Sequence, residues 1–164
     1  MRISRKQITE AIQRATIGYY TKKNFGVNVE LGVMPWGRRR VDVVAVNRKG
    51  HIVICELKSN KQDFVSDKKF LEYLPFCNQM YIVIYYQDLK WMEDYLPTLK
   101  KNGIGVHILS ENGLLVNHLR APNRKMMRKT KREILLRLAW RNAKFSKCNT
   151  KRVRVFVREA NESV

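Results

Sequence analysis

The sequence predicts an α/β fold of one domain's size. The chain has 164 residues, about one domain's worth, and 45% of them are hydrophobic, enough to bury a core. Segments with apolar residues at helical spacing alternate with short apolar runs rich in Val and Ile. Read in order, they run α-β-β-β-α-β, followed by further α and β.

The first helix is expected over residues 4–20. Ser4 can cap it, and Ile8, Ala11, Ile12, Ala15 and Tyr19 recur at helical spacing. Gly26 opens a strand through Val33, with Val27, Val29, Leu31 and Val33 on one face and Asn28 and Glu30 on the other. Val41–Val46 and Ile52–Leu57 are apolar strands, joined by a turn at Asn47-Arg48-Lys49-Gly50 and interrupted by Asp42 and Glu56. A helix follows over Asp63–Leu74, with Phe64, Leu71 and Leu74 facing inward, then a strand over Met80–Tyr86. Residues 88–102 are helical, with Pro97 set to break or kink them. Ile104–Leu109 and Gly113–Leu119 are strands, residues 123–145 a long basic helix, and Lys151–Arg158 an alternating strand. Arg120-Ala121-Pro122-Asn123 is the best boundary, dividing a core over 1–119 from a basic helix-strand extension over 120–164 packed on it.

Charge narrows the partners. Lys and Arg number 33 against 14 Asp and Glu, a formal net charge of +19. Between Arg120 and Arg158 stand fifteen basic residues and a single acid, Glu133, so most of the excess lies in the extension. A polyanion is the natural partner, nucleic acid before an anionic membrane surface. No apolar run is long enough for a transmembrane helix, and the first residues lack the apolar region of a secretory signal. Three widely spaced cysteines (Cys55, Cys77, Cys148) suit neither a disulfide framework nor a zinc site, so a reducing, cytoplasmic setting is expected. His51, His107 and His118 show no metal spacing and read as strand-end or surface residues.

The two strand carboxylates carry the chemistry. An acid among Val and Ile is costly to bury unless it is paired or binds a cation. If the hairpin pivots on Lys49, Asp42 faces Glu56 directly, and Lys58, two residues beyond Glu56, projects from the same face. Two carboxylates so close repel unless a cation lies between them, and hard oxygen donors favour Mg²⁺ or Mn²⁺. Such an ion polarises a phosphoryl oxygen and activates a water for in-line attack, while Lys58 stabilises charge on the phosphate or orients the water. The plainer alternative is a pair of edge carboxylates neutralised by Arg40 and Lys58.

The stretch Gly37-Arg38-Arg39-Arg40-Val41-Asp42-Val43-Val44-Ala45-Val46, followed by Ile52-Val53-Ile54-Cys55-Glu56-Leu57-Lys58-Ser59, resembles the PD-(D/E)XK nuclease superfamily. More narrowly it is similar to the MmcB-like DNA repair family, whose pattern continues through Asp63-Phe64, Asp67-Lys68-Lys69-Phe70, Tyr73 and Cys77-Asn78-Gln79-Met80-Tyr81. The similarity spans roughly residues 20–145, with Val41 where the superfamily's name has Pro. The resemblance implies a restriction-endonuclease-like, three-layer α/β/α fold with a mixed central sheet (an αβββαβ core). It also implies metal-dependent cleavage of DNA, with Asp42 and Glu56 as ligands and Lys58 as the partner of the catalytic base. For a further acidic ligand, Glu30 matches the narrower family and Glu10 the wider superfamily. Dimers occur among nuclease relatives, so the resemblance also allows a homodimer.

Around this centre, Arg38, Arg39 and Arg40, with Trp36 beside them, and Lys69 with Tyr73 are candidates for contact with nucleic acid. Asp63 and Asp67 read as helix N-terminal acids. On the basic helix, Ile134, Leu135, Leu138 and Ala139 form a packing stripe. Arg124, Lys125, Arg128, Lys131 and Arg132, continued by Arg141 and Lys144, form a phosphate-following face, which Arg152 and Arg154 extend on the last strand. The expected function is a divalent-metal-dependent DNA endonuclease or repair-type phosphodiesterase using a metal-activated water. The rival readings are a non-catalytic nucleic-acid-binding protein on the same scaffold and an RNA-binding module.

Overall fold

The structure is a computed structural model that describes residues 4–34, 39–67 and 69–146, with the backbone alone for 143–146. A first helix, α1 (Arg5–Lys22), opens on a capping box. The Gln7 amide donates to the Ser4 hydroxyl at 3.3 Å, and the Ser4 amide donates to the Gln7 side chain at 2.8 Å. Six strands follow: β1 (Phe25–Gly32), β2 (Arg40–Asn47), β3 (Ile52–Leu57), β4 (Gln79–Tyr85), β5 (Gly105–Leu109) and β6 (Leu115–Leu119). They lie in one sheet in chain order; β1-β2-β3 and β5-β6 are antiparallel, whereas β3-β4 and β4-β5 are parallel. The expected α/β class and mixed sheet are therefore present.

Core lies on both faces of the sheet. Alternation along β3 sends Val53 and Cys55 toward Ile12 and Tyr20 of α1. Ile52 and Ile54 point the other way, into a larger cluster with the remaining helices. Two successive parallel crossovers of one hand lead to the same side of a sheet, which leaves the opposite side for α1.

The β2–β3 turn fixes the register. Gly50 donates its amide to Asn47 O at 2.9 Å and adopts φ +70°, which closes a three-residue loop of the type that ends in a left-handed glycine. Val43 then opposes Cys55 and Val44 opposes Ile54, the register that a pivot on Lys49 requires.

Several expectations change. β1 does not keep one face. Glu30 has φ +50°, so Val27 and Val29 pack with α1 while Leu31 and Val33 pack on the other side. The helix expected over 63–74 is two pieces, α2 (Lys61–Ser66) and a 3-10 segment (Lys69–Phe76), and Leu71 is exposed. Asp67 interrupts it, because its carboxylate accepts from the Lys69 amide and begins a new turn. Residues 86–101 are a chain of short turns that includes α3 (Leu89–Met92) and α4 (Leu96–Lys101). Pro97 sits in the first turn of α4, where its missing N–H is harmless. His107 is core rather than surface. It lies 1% exposed on β5, stacked on Tyr81 at 3.9 Å and 3.0 Å from the Tyr20 hydroxyl.

The basic helix, α5 (Arg128–Ser146), starts five residues later than its periodicity suggested. The segment before it is committed to the core. The Arg124 amide and the Asn78 side chain exchange hydrogen bonds with each other's carbonyls at 2.8 Å, and the Arg124 guanidinium donates to Asn102 O and Gly103 O. Ile134 and Leu138 of α5 are buried in the larger cluster. The strand expected over Lys151–Arg158 lies outside the described residues. Among those described, no helix is long and apolar enough to cross a membrane.

Two measurements check this packing. A β-carbon on Gly105 would collide with the Tyr81 ring and stand 2.5 Å from Leu119 O. Gly105→Ala is expected to cost about 1–3 kcal/mol by denaturant unfolding, the usual overpacking penalty. Burial, aided by Lys23, holds the His107 imidazole down at about 3 from its ordinary 6.5. The unfolded chain thus binds a proton that the folded one refuses, and stability present above pH 6.5 is lost as pH falls toward 3. His107→Phe should flatten this acid limb of a melting-temperature profile; an unchanged slope would assign the limb to other groups.

Candidate active site

The hairpin ladder ends where the acids begin. Beyond the Val43–Cys55 pair, β2 and β3 are linked through side chains. The Asp42 amide donates to Glu56 Oε1 at 3.2 Å, and the Leu57 amide donates to Asp42 Oδ2 at 2.8 Å. The two carboxylates thereby satisfy amides that a longer ladder would have paired. Lys58 continues the parallel pairing, its amide donating to Val83 O at 2.9 Å. Its side chain is 4% exposed, with Nζ 4.0 Å from Glu56 Oε2 and 2.5 Å from Asp67 Oδ2.

Electrostatics follow from this burial. Removal from water, and then the neighbouring Asp42 charge, push the Glu56 carboxyl up to about 8, against the opposing pull of Lys58 and the Asp42 amide. Burial also raises Asp42, which the Leu57 amide and Lys58 partly offset. Burial would raise Asp67 too, but the hydrogen bond from Lys58 and the Lys69 amide outweigh it, and Asp67 lies below its ordinary value. Two neighbouring acids that both resist ionisation form a strained pair, which added positive charge would relieve.

These groups line an open cleft of about 650 Å³, walled by Thr9 and Gln13 of α1 and by Glu30, Arg40, Lys69 and Tyr73. Glu30 falls opposite Asp42, between the Val29–Val43 and Leu31–Val41 pairs. Its carboxylate is turned to the Arg40 guanidinium at 3.3 Å, and its backbone oxygen accepts from Arg141 at 2.6 Å. Glu10 is exposed on α1 and is not part of the cleft wall. Among the described residues, no three acids, histidines or cysteines are grouped so as to hold a metal ion. Asp42 and Glu56 are thus brought together, with Lys58 beside them, while Glu30 shares the cleft with its carboxylate directed elsewhere.

The expected nucleic-acid contacts divide. Lys69 and Arg40 are exposed at the cleft. Tyr73 is buried, its hydroxyl donating to Arg40 O at 3.2 Å, and burial followed by the Glu56 charge moves it up to about 12. Arg39 is engaged by Glu72 at 3.0 Å. Arg124 is a carbonyl clamp, and the Lys131 stem lies over Gly50, where a β-carbon would be 3.0 Å from its Cε. Lys125, Arg128 and Arg132 are exposed but do not line the cleft. Trp36, Arg38, Arg152 and Arg154 lie outside the described residues.

Two features escaped sequence reading. Asp67 partners Lys58; its place near the start of the helix expected over 63–74 suggested only an N-terminal dipole acid. Arg137 and Arg141 fasten α5 to the end of β1, Arg137 donating to Gly32 O at 3.0 Å and also to Met34 O. Nothing in a run of cations marks which of them will meet carbonyls.

Comparison with known proteins agrees with the fold and names a family. The SPO1766 protein of unknown function from Silicibacter pomeroyi is 21% identical and superposes with a TM-score of 0.72 over 88% of this chain and 92% of its own. At that identity the likeness establishes a shared fold. No curated protein matches. The family model described as DNA repair protein MmcB-like matches residues 1–151. That span includes every described element, and the chain belongs to the MmcB-like DNA repair family.

Proposed function

We propose that the chain is a divalent-metal-dependent DNA phosphodiesterase, an endonuclease acting in repair, on a PD-(D/E)XK-type, restriction-endonuclease-like scaffold. The observation that carries this reading is the pair formed by half-buried Asp42 and buried Glu56, with the Lys58 ammonium beside it, in a cleft edged by Arg40 and Lys69. Family membership supports a role on DNA.

The donor set fits a hard cation. Two carboxylates with water completing the sphere is the usual Mg²⁺ arrangement, and Mn²⁺ accepts the same oxygens. When bound, the cation supplies positive charge against a phosphoryl oxygen and acidifies a water for attack at neutral pH. The chain's own groups do the rest. Asp42 and Glu56 hold their oxygens through amides on opposing strands, so the site is built on sheet rather than loop. Lys58 presents a desolvated ammonium to charge developing on the phosphate. Arg40 and Lys69 receive flanking phosphates at the mouth, and the exposed cations of α5 add affinity that depends on salt rather than sequence.

The orientation of Glu30 toward Arg40 favours one rival, a non-catalytic DNA-binding protein that keeps the nuclease frame. Incubation with plasmid, branched and single-stranded DNA, with Mg²⁺ or Mn²⁺ and with chelator, separates the two. Metal-dependent cutting is expected, and Glu56→Gln or Lys58→Ala should each lower its rate by roughly 10²-fold or more, the scale of losing a charge-stabilising group. Binding that weakens with salt, with no cutting by the wild type, would establish the rival.

The titration of Glu56 gives a second check. Its carboxyl lies near 8 folded against 4.5 ordinarily, so the metal-free folded chain holds a proton that the unfolded chain releases. Stability present below pH 4.5 is therefore lost as pH rises toward 8. Glu56→Gln should remove that decline in melting temperature, and added Mg²⁺ should raise the wild-type melting temperature more at pH 8 than at pH 5.

A further inference from the structure

We propose that Asp67 is the positioning residue of Lys58, keeping its ammonium off Glu56 so that the Glu56 oxygens stay open to a divalent cation. This rests on the reading of Asp42 and Glu56 as cation ligands. Lys58 has two carboxylates within reach and is drawn to one of them, at 2.5 Å from Asp67 Oδ2 and 4.0 Å from Glu56 Oε2. At 4% exposure its ammonium is nearly out of water and must have a close anionic partner. Among the described residues, those two acids alone lie within ion-pair distance of it. Asp63 cannot substitute, because it is engaged by Arg5 at 3.5 Å and by Ser59.

The carboxylate of Asp67 is held from its other side. Oδ1 accepts the Lys69 amide at 3.0 Å, and the backbone at Asp67 is extended, with φ −97° and ψ 93°. The break between α2 and the 3-10 segment is thus what turns this acid toward Lys58. If its charge is removed, Glu56 is the other acid within ion-pair distance among the described residues, and an approaching ammonium favours its ionised form. The ammonium then closes the 4.0 Å gap and occupies the oxygens that a cation would use.

The test is Mn²⁺ binding to the full chain, measured by calorimetry, with a melting curve for each variant. Asp67→Asn is expected to weaken Mn²⁺ binding roughly 10- to 100-fold, the range for a lost outer partner of a ligand group. Asp67→Ser should do the same while its hydroxyl keeps a cap for the Lys69 amide. Adding Lys58→Met to either variant removes the competitor, and affinity should return to within about threefold of Lys58→Met alone, a coupling that a double-mutant cycle resolves. If Asp67→Asn weakens binding equally with and without Lys58→Met, Asp67 acts by shaping the segment and the positioning role is wrong. If the wild type binds no Mn²⁺, the cation reading itself fails, and this inference falls with it.

Discussion

The pairing of β2 with β3 is the constraint on which the site depends. A three-residue loop ending in left-handed Gly50 sets it, and Asn47 accepts the Lys49 and His51 amides at 3.0 Å to hold that loop in shape. A slip of one residue would send each side chain of a strand to the opposite face. Asp42 would then leave Glu56, and Val43 would exchange the α1 side for the other. Because β3 is buried along its whole length, both of its faces resist such a slip. The apolar residues that make the core thus also hold two acids side by side.

This division explains what the sequence made legible. Strand identities, the turn and the Asp42–Glu56–Lys58 set follow from local rules: apolar runs, an Asn-x-x-Gly turn and period-two alternation. Most of the features that were not legible depend on partners distant along the chain. The left-handed Glu30 is held by Arg141, more than a hundred residues away. The break at Asp67 comes from its carboxylate capping the Lys69 amide, which periodicity cannot register, since Phe64 and Leu74 look equally at home on one helix. The late start of α5 reflects Asn78 binding the backbone of Arg124. Glu30 is the instructive case, because the resemblance marked it as a candidate ligand while the direction of its carboxylate was not readable.

The cations likewise fall into classes that composition cannot distinguish. Lys58 is buried and ion-paired, and Arg39 is matched by Glu72. Arg124, Arg137 and Arg141 bond to backbone oxygens, whereas Arg128, Lys129 and Arg132 stand in solvent. A count of basic residues therefore overstates those free to meet phosphate directly and understates those that organise the fold.

The arginines that fasten α5 to β1 have a consequence of another kind. Their acceptors are carbonyl oxygens, which are dipoles without net charge. An ion pair would cancel a guanidinium's distant field, but a carbonyl leaves it nearly intact. Arg137 and Arg141 thus fix the helix while still contributing their full positive potential at the end of the sheet where Glu30 and Arg40 lie. A polyanion diffusing nearby is attracted by structural and exposed cations alike, so the rate of encounter reflects the whole cationic population, including members that never touch it.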